Sequence, residues 1–339
     1  MEQVKVEDAI GMIIGHDLTK IVPGEFKGVA FKKGHIITPK DIEDLKKIGK
    51  NHIYVVNLSN GFLHEDQCAL RIGQAITGSG TFFEDPSEGK VNIKAEKRGI
   101  LKINLDALDK INDIDNIILS TLHNNSIVDE NTIVAGTKII PLALEEKYIE
   151  EVENICKNCN NVISIMPLKH QKVGIVITGT EVYEGKIKDK FAPVIEDKLN
   201  SYDCSIMGKT FVPDNLNNIT SAIKDFINDG AEVIITSGGM SVDPDDVTPN
   251  AIRECSEEVI SYGSPVLPGA MFMLAYSKSA TIIGLPACGM FNKTTVFDLV
   301  LPRVMAKDRI SKREINRLAH GGLCLKCEVC KYPVCPFGK

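Results

Sequence analysis

Four apolar runs, each followed by a polar turn, constrain the fold of this chain more than any other feature. The runs cover residues 173–179, 205–212, 231–239 and 281–287, and the first, VGIVITG, is continuous, as expected of a strand buried on both faces. Apolar residues with helical spacing occur between and after them, at about 187–199, 216–227 and 291–305. This alternation predicts an α/β fold, a three-layer, mostly parallel sheet with helices on both faces.

The remaining sequence indicates further parts. A length of 339 residues suggests roughly two domains. Residues 1–165 contain short β-branched runs interrupted by Asn, Asp and Gly, which predicts a smaller, strand-rich accessory domain of mixed α and β structure. We place the α/β domain at 166–310 and a short cysteine-rich tail at 311–339.

Composition and charge exclude several classes of protein. The net charge is −6, so binding to nucleic acid through phosphate contacts is not expected. No apolar run approaches the roughly 20 residues of a membrane helix. The first residues lack a basic segment followed by an apolar stretch and a cleavage site. We therefore expect a cytoplasmic protein, with no nucleic-acid or membrane partner, that forms a homo-oligomer.

The turns after the four runs carry the residues expected of a phosphate site. A single such turn is most often an ordinary loop, but the carboxyl ends of parallel strands meet at one edge, where ligands bind. Glycines let backbone amides approach an anion, and hydroxyls add donors. Aspartates would repel a bare phosphate, so Asp214, Asp243 and Asp246 indicate a bridging Mg²⁺. The spacing fits neither a Walker loop nor a GxGxxG fingerprint.

The same stretches resemble the molybdopterin-binding domain of molybdenum-cofactor biosynthesis proteins. VGIVITGTEV, the VPD turn and TSGGMSVDPDDVTPNAI are similar to the motifs of that family, and GLPACGMFNKTTVFDLVLPRVM is similar to its Leu-Pro-Gly-Asn-Pro loop and following helix. The resemblance covers roughly residues 170–306. It implies a mixed, mostly parallel sheet that binds the pterin dithiolene and its phosphate.

The resemblance also implies two reactions and the residues that serve them. One reaction adenylylates molybdopterin with Mg-ATP, and the other inserts molybdate into the adenylylated intermediate. Asp214 and Asp246 match functional aspartates of the family, so we expect catalytic roles for them and for Asp243, with Mg²⁺ on Asp246. The ligand is expected to contact Thr178, Gly179, Thr180, Glu181, Ser237, Gly238, Gly239, Ser241, Pro286 and Gly289.

Departures from the family pattern leave three functions open. Ser241 gives the GG-x-S form of the molybdate-inserting branch, the molybdopterin molybdenumtransferases, which we take as the nearest relatives. That branch's Ser-x-x-Asp-Gly-Tyr-Ala signature is missing, and Ala287-Cys288-Gly289 replaces Gly-Asn-Pro. One alternative is a non-catalytic molybdopterin carrier or sensor that docks on a molybdoenzyme or another cofactor-biosynthesis protein. The other is a molybdopterin adenylyltransferase.

The last sixteen residues contain four of the ten cysteines. Cys324, Cys327, Cys330 and Cys335 have the spacing C-x2-C-x2-C-x4-C-P, which in a reducing compartment predicts a metal site before a disulfide frame. The layout resembles a ferredoxin-type run with one extra residue before the last cysteine. An iron–sulfur cluster, a zinc ion and a metal-free tail therefore remain open.

Overall fold

The computed structural model describes residues 2–22, 26–55, 61–87 and 89–339, which form two compact units, Met1–Ile165 and Met166–Lys339. Each unit has hydrophobic cores of its own. None of the helices in these ranges combines the length and the hydropathy that a membrane span requires.

The first unit consists of short strands and helices. Its strands are β1 (Glu2–Lys5), β2 (Leu18–Val22), β3 (Phe26–Phe31), β4 (His52–Val55), β5 (Phe62–His64), β6 (Thr81–Phe83), β7 (Lys90–Ala95), β8 (Gly99–Ile103), β9 (Ile117–Thr121), β10 (Ile127–Val128), β11 (Ile133–Ile139), β12 (Ala143–Glu145) and β13 (Ile163–Pro167). Its helices are α1 (Asp41–Lys47), α2 (Glu65–Ile76), α3 (Leu105–Asn112) and α4 (Glu146–Lys157), and Val6–Asp8 forms a 3-10 turn.

The strands of the first unit pair into several small sheets. A four-stranded antiparallel sheet has the order β6-β7-β11-β9, and a three-stranded sheet has the order β10-β8-β13. Gly73 lets helix α2 pack closely on β7, since a Cβ at that position would lie only 2.8 Å from Val91 Cγ1. The short strands follow from the Asn, Asp and Gly residues that interrupt each apolar run.

The second unit contains the strand–helix alternation that the sequence predicts. Its strands are β14 (Gln171–Thr178), β15 (Cys204–Val212), β16 (Val233–Ser237), β17 (Glu258–Tyr262), β18 (Met273–Tyr276) and β19 (Thr281–Leu285). Its helices are α5 (Thr180–Tyr183), α6 (Phe191–Leu199), α7 (Leu216–Asn228), α8 (Thr248–Cys255), α9 (Val296–Met305) and α10 (Lys312–Arg317), with a 3-10 turn at Ala287–Met290.

These strands form one mixed six-stranded sheet with the order β15-β14-β16-β19-β18-β17. The first four strands are parallel, and β18 and β17 extend the sheet antiparallel. The predicted α/β class and parallel pairing are therefore correct for β14, β15, β16 and β19. The antiparallel pair was not predicted, because runs of four and five residues carry too little periodicity to be recognised.

Alternate residues of the central strands face two separate cores. Val173 and Ile175 belong to the core that includes α6 and α9, whereas Val176 belongs to the core that includes α7 and α8. Gly174 brings α7 close to β14, since a Cβ there would lie 2.6 Å from the ring of Phe226. Alternate residues of β14 therefore face cores that contain different helices. Strands β14, β16 and β19 are buried as their apolar runs imply, whereas the edge strand β15 is largely exposed.

Two predicted helix boundaries are wrong, and capping explains both. Helix α6 begins at Phe191 instead of 187, because the Asp189 carboxylate accepts hydrogen bonds from the amides of Phe191 (2.8 Å) and Ala192 (3.1 Å). Helix α9 begins at Val296 instead of 291, because Thr295 forms a capping box with Asp298. Polar caps thus outweigh the apolar spacing that extends upstream of each helix.

Candidate functional site

Two threonine hydroxyls, one at the carboxyl end of β14 and one at the start of α8, meet at this edge of the sheet. Thr178 is buried, and its Oγ1 lies 3.2 Å from Oγ1 of the buried Thr248 at the start of α8. Gly179 then turns the chain at φ 144°, a conformation that favours glycine. Its amide donates to the carbonyl of Val212 (3.2 Å), which joins the end of β14 to the end of β15.

Asp214 is held at this edge by reciprocal bonds with Thr180. Asp214 Oδ2 accepts from the amide of Thr180 (2.9 Å) and from its hydroxyl (3.3 Å), and the Asp214 amide donates to Thr180 Oγ1 (3.2 Å). The other oxygen, Oδ1, faces the glycine turn, 3.5 Å from the position of a Cβ at Gly239. One carboxylate oxygen therefore fixes the loop while the other points towards the adjacent strand end.

Gly238 and Gly239 form a turn that no larger residue could occupy without displacing its neighbours. Their φ angles are 102° and 55°. A Cβ at Gly238 would lie 2.2 Å from the carbonyl oxygen of Thr178, and one at Gly239 would lie 2.8 Å from Thr248 Oγ1. Close packing explains why the sequence has two adjacent glycines at this strand end.

Ser237 supplies a polar atom without a partner next to this turn. The residue is fully buried, and its Oγ makes no hydrogen bond with any residue that the structure describes. A buried hydroxyl left unsatisfied costs about 1–3 kcal/mol. A ligand oxygen that reached Ser237 would recover part of that free energy, which makes the hydroxyl a candidate ligand contact.

Residues 240–247, between the glycine turn and α8, form an acidic loop. Asp243 and Asp245 are exposed and Asp246 is half-buried. The loop closes on itself, since Asp246 Oδ2 accepts from the Asp243 amide (3.1 Å) and the Asp246 amide donates to the Asp243 carbonyl (2.9 Å). Asp246 is therefore oriented by the backbone, whereas Asp243 contributes its backbone groups to that arrangement.

Tyr262 of β17 supports the start of the acidic loop. Its hydroxyl lies within hydrogen-bond distance of the carbonyls of Met240 (3.0 Å) and Ser241 (3.1 Å). Burial raises the pKa of the Tyr262 hydroxyl; the Arg253 guanidinium opposes this shift and the Asp246 carboxylate adds to it. The phenol therefore stays protonated at neutral pH and can serve as a donor to the loop.

The predicted ligand contacts fall into two places. Thr178, Thr180, Gly238 and Gly239 meet at the edge described above, and Gly179 and Ser237 adjoin them in sequence. Glu181 and Ser241 are exposed. Pro286 and Gly289 instead line a small cavity of about 20 Å³ beside α6.

Thr248 is a site residue that sequence reasoning missed. It is fully buried, its hydroxyl meets Thr178, and its amide donates to the Gly239 carbonyl (3.3 Å). The available signal was the Thr-Pro pair at the start of α8, because a proline in the first turn marks a helix N-terminus.

The cysteines of the tail lie in a different cleft. Its volume is about 270 Å³, and Cys324, Cys327, Cys330 and Cys335 all line it, opposite residues 291–294. Every described cysteine is a free thiol. Across the described ranges, no three Cys, His, Asp or Glu side chains are arranged to hold a metal ion, and this applies to the tail and to the acidic loop alike.

Two family models match parts of the chain. Residues 174–306 match a family described as a probable molybdopterin binding domain, and residues 3–57 match a domain of unknown function. The first match confirms the resemblance drawn from the strand-end motifs.

Among curated proteins, the chain is similar to a CinA-like protein of Mycobacterium tuberculosis, 33% identical over 90 residues, which is 26% of this chain and 21% of that protein. A CinA-like protein of Mycobacterium avium is 32% identical over the same length. The chain thus spans about a fifth of the length of the curated relatives it matches.

Solved structures give similar matches. The molybdopterin biosynthesis enzyme MoaB from Thermus thermophilus is 22% identical with a TM-score of 0.36, over 40% of this chain and 91% of that one. A structure of MogA is 25% identical with a TM-score of 0.37, over 41% of this chain and 100% of that one.

Proposed function

We propose, since residues 174–306 form a domain of the molybdopterin-binding family, that this chain binds adenylylated molybdopterin and transfers molybdate to it. The observation that carries the proposal is the meeting of Thr178, Asp214, Gly239 and Thr248 at one edge of the sheet. Glycines and hydroxyls suit the phosphates of such a ligand. The GG-x-S form at Ser241 favours the molybdate-inserting branch.

The phosphate groups are proposed to lie over the glycine turn. Gly238 and Gly239 have no side chain to keep a phosphate away from the backbone. The Ser237 hydroxyl is a further donor in a position with no protein partner among the described residues. Donors fixed in advance stabilise charge that develops during reaction without reorganising.

The carboxylates fit a magnesium ion that the ligand helps to bind. Mg²⁺ is commonly held by one or two carboxylates together with substrate phosphates and water, and the Oδ1 side of Asp214 and the backbone-oriented Asp246 offer such carboxylates. When bound, Mg²⁺ would neutralise phosphate charge and favour cleavage of the phosphoanhydride. The hydrogen bond from the Thr180 amide holds the Asp214 carboxylate in place.

The test is release of AMP from adenylylated molybdopterin in the presence of molybdate and Mg²⁺. Wild-type protein is expected to release AMP, and Asp246→Ala to release it at least about tenfold more slowly, equivalent to about 1.4 kcal/mol in the barrier. Asp197→Ala is the matched control, because Asp197 is an exposed aspartate on α6 away from these loops. Release that stays at background, with both variants equal to wild type, contradicts the proposal.

A second function, a pterin carrier that docks through its tail, is favoured by the tail surface. Leu323, Leu325, Val329 and Val334 are 65–85% exposed, an unusual amount of apolar surface for so short a segment. The lysines of the tail suit an acidic partner. A carrier would bind the pterin without releasing AMP, and Leu325→Asp would abolish capture of a purified molybdoenzyme while leaving pterin binding intact.

The adenylyltransferase alternative makes a different product. It predicts pyrophosphate release from Mg-ATP and unmodified molybdopterin, without any need for molybdate. A pyrophosphate assay on the same preparation separates this reaction from molybdate transfer.

A further inference from the structure

The cleft between residues 291–294 and the tail contains thiols and lysines that the function proposed above does not use. Its volume is about 270 Å³, and both kinds of side chain line it. We propose that this cleft is a modification site, in which Cys330 forms a mixed disulfide with a small, negatively charged disulfide compound. The proposal does not depend on the identity of the pterin ligand.

The thiols of the chain differ in how readily they can react. The thiolate is the form that attacks a disulfide, and burial disfavours it. Within the tail, Cys324 and Cys335 are half-buried, whereas Cys327 and Cys330 are exposed and accessible to a dissolved reagent. Elsewhere burial raises the pKa of five thiols, those of Cys68, Cys156, Cys204, Cys255 and Cys288.

A buried hydroxyl lies beside the sulfur of Cys330. Thr294 Oγ1 is 3.2 Å from Cys330 Sγ, and Thr294 is only 6% exposed. An ionised sulfur cannot donate, so the hydroxyl must then donate to it, which stabilises the thiolate. The hydrogen bond from Thr294 and one from the Tyr332 backbone lower the pKa of the Cys330 thiol. The charge of Lys293 acts in the same direction, against slight burial and the Asp298 carboxylate.

The sulfur of Cys330 is also held in place by the start of α9. Thr294 precedes the capping box that begins this helix. Tyr332, two residues after Cys330, donates its hydroxyl to the Asp298 carbonyl of α9 at 3.0 Å. Because the chain is fixed on both sides of the sulfur, the thiol is positioned at the wall of the cleft before any reagent binds.

The charge and size of the cleft favour a small anionic reagent. Lys293, Lys326 and Lys331 line the cleft with one acidic residue, Glu328. An excess of positive charge attracts anions and speeds their association. The volume of about 270 Å³ is close to the lower end of the roughly 300–1,000 Å³ of small-molecule sites. The cleft therefore has room for a small thiol compound that carries carboxylates.

The reaction is a thiol–disulfide exchange. The Cys330 thiolate attacks one sulfur of the reagent, so that a bond forms between Cys330 Sγ and that sulfur while the S–S bond of the reagent breaks. The other half of the reagent leaves as a thiolate. The disulfide reagent is thus the oxidant, and an excess of the free thiol compound reverses the step.

The full chain, freshly reduced and mixed with oxidised glutathione at neutral pH, tests the proposal. The first release of glutathione gives the rate, and peptide mapping by mass spectrometry gives the position. We expect Cys327→Ser to hold one glutathione, on Cys330, and to react at least about tenfold faster than Cys330→Ser, which keeps the other exposed thiol. Equal rates in these two variants, or glutathione on another cysteine of Cys327→Ser, would overturn the proposal.

Two changes at Thr294 separate the hydroxyl from any effect on folding. Thr294→Val and Thr294→Ser both keep every thiol, but only the serine keeps a hydroxyl beside Cys330. The valine variant should react about three- to tenfold more slowly than the serine variant. Identical rates would contradict the stabilisation of the thiolate by this hydroxyl.

Cystamine, a cationic disulfide, tests the preference for negative charge. Lys293→Gln should slow the reaction with oxidised glutathione about threefold more than the reaction with cystamine. Lys278→Gln is the matched control, because Lys278 is exposed in the turn between β18 and β19 and does not line the cleft. An equal loss of rate with both reagents in Lys293→Gln would rule out selection of an anionic compound.

Discussion

Gly238 offers the sharpest test of the geometry at the ligand edge. Gly238→Ala places a methyl group 2.2 Å from the Thr178 carbonyl oxygen, on a residue with φ 102°. The left-handed backbone costs about 1–2 kcal/mol for a residue with a Cβ, and overpacking costs about 1–3 kcal/mol. We therefore expect the variant to lose about 2–5 kcal/mol of the free energy of unfolding.

Two other glycines separate these contributions. Gly230 also has positive φ, +88°, but a Cβ there meets nothing within 4 Å, so Gly230→Ala should cost only the backbone contribution of about 1–2 kcal/mol. Gly289 has no atom within 4 Å of an added Cβ and no positive φ. Gly289→Ala should therefore be close to neutral, or stabilising by about 0.4–1 kcal/mol through the unfolded chain.

Urea unfolding followed by tyrosine fluorescence measures these differences. The chain has no tryptophan, and five of its seven tyrosines lie in residues 166–339, so the signal reports mainly on the second unit. With a slope of about 2 kcal/mol per molar urea, Gly238→Ala should lower the midpoint by about 1–2.5 M. If Gly238→Ala and Gly230→Ala lose the same free energy of unfolding, the inferred clash between the added methyl group and the Thr178 carbonyl is wrong.

Three further predictions concern the second unit. Burial raises the pKa of the Glu314 carboxyl, but hydrogen bonds from Ser311 and Arg303 outweigh burial and lower this pKa from 4.5 to about 2. A carboxyl with a lowered pKa stabilises the fold above pH 4.5, and this contribution is lost as the pH falls towards 2. Acid titration should therefore remove about 1–2 kcal/mol of the free energy of unfolding, after allowance for solvent exposure. The loss should be smaller in Arg303→Leu. Ser237→Ala removes an unsatisfied hydroxyl, so it should leave the free energy of unfolding unchanged or raise it by about 1 kcal/mol. The same variant should bind the ligand more weakly than wild type, as measured by calorimetry. Tyr262→Phe should destabilise the acidic loop by about 1–2 kcal/mol, measured as faster proteolysis there.

The controls and contrary results for these three differ. A pH profile of Arg303→Leu identical to wild type would contradict the role of its guanidinium in lowering the pKa of Glu314. Loss of stability in Ser237→Ala would mean that the hydroxyl has a partner in the folded protein. For Tyr262→Phe, cleavage outside residues 240–247 should stay unchanged, and a general rise in cleavage would indicate global destabilisation instead.

The sequence predicts the inner parallel strands of the second unit, β14, β16 and β19, because they are buried on both faces. Runs such as 173–179 must be apolar throughout, so their composition alone distinguishes them from loops. The strands of the first unit are short, and their pairing depends on contacts distant in sequence. Their order could not be predicted, because single-strand patterns do not specify which neighbours pair.

Site residues could be predicted where their residue type alone marks them, but not where only their position in the fold does. Gly238 and Asp214 stand out because glycine and aspartate are costly within buried strands. Thr248 does not stand out, since a threonine near a helix start is ordinary. Only the meeting of β14 and α8 shows that its hydroxyl faces Thr178.

The loop after β19 links the altered family motif to the cysteine tail. Ala287-Cys288-Gly289 stands where the family has Gly-Asn-Pro, and the residues that follow, 291–294, form one wall of the cysteine-lined cleft. Thr294 contacts Cys330, and the next residue, Thr295, caps α9. A loop that packs against the tail is constrained from outside the ligand edge, so its sequence is subject to demands beyond binding. The altered loop and the cysteine tail are therefore best understood as one structural feature of this chain.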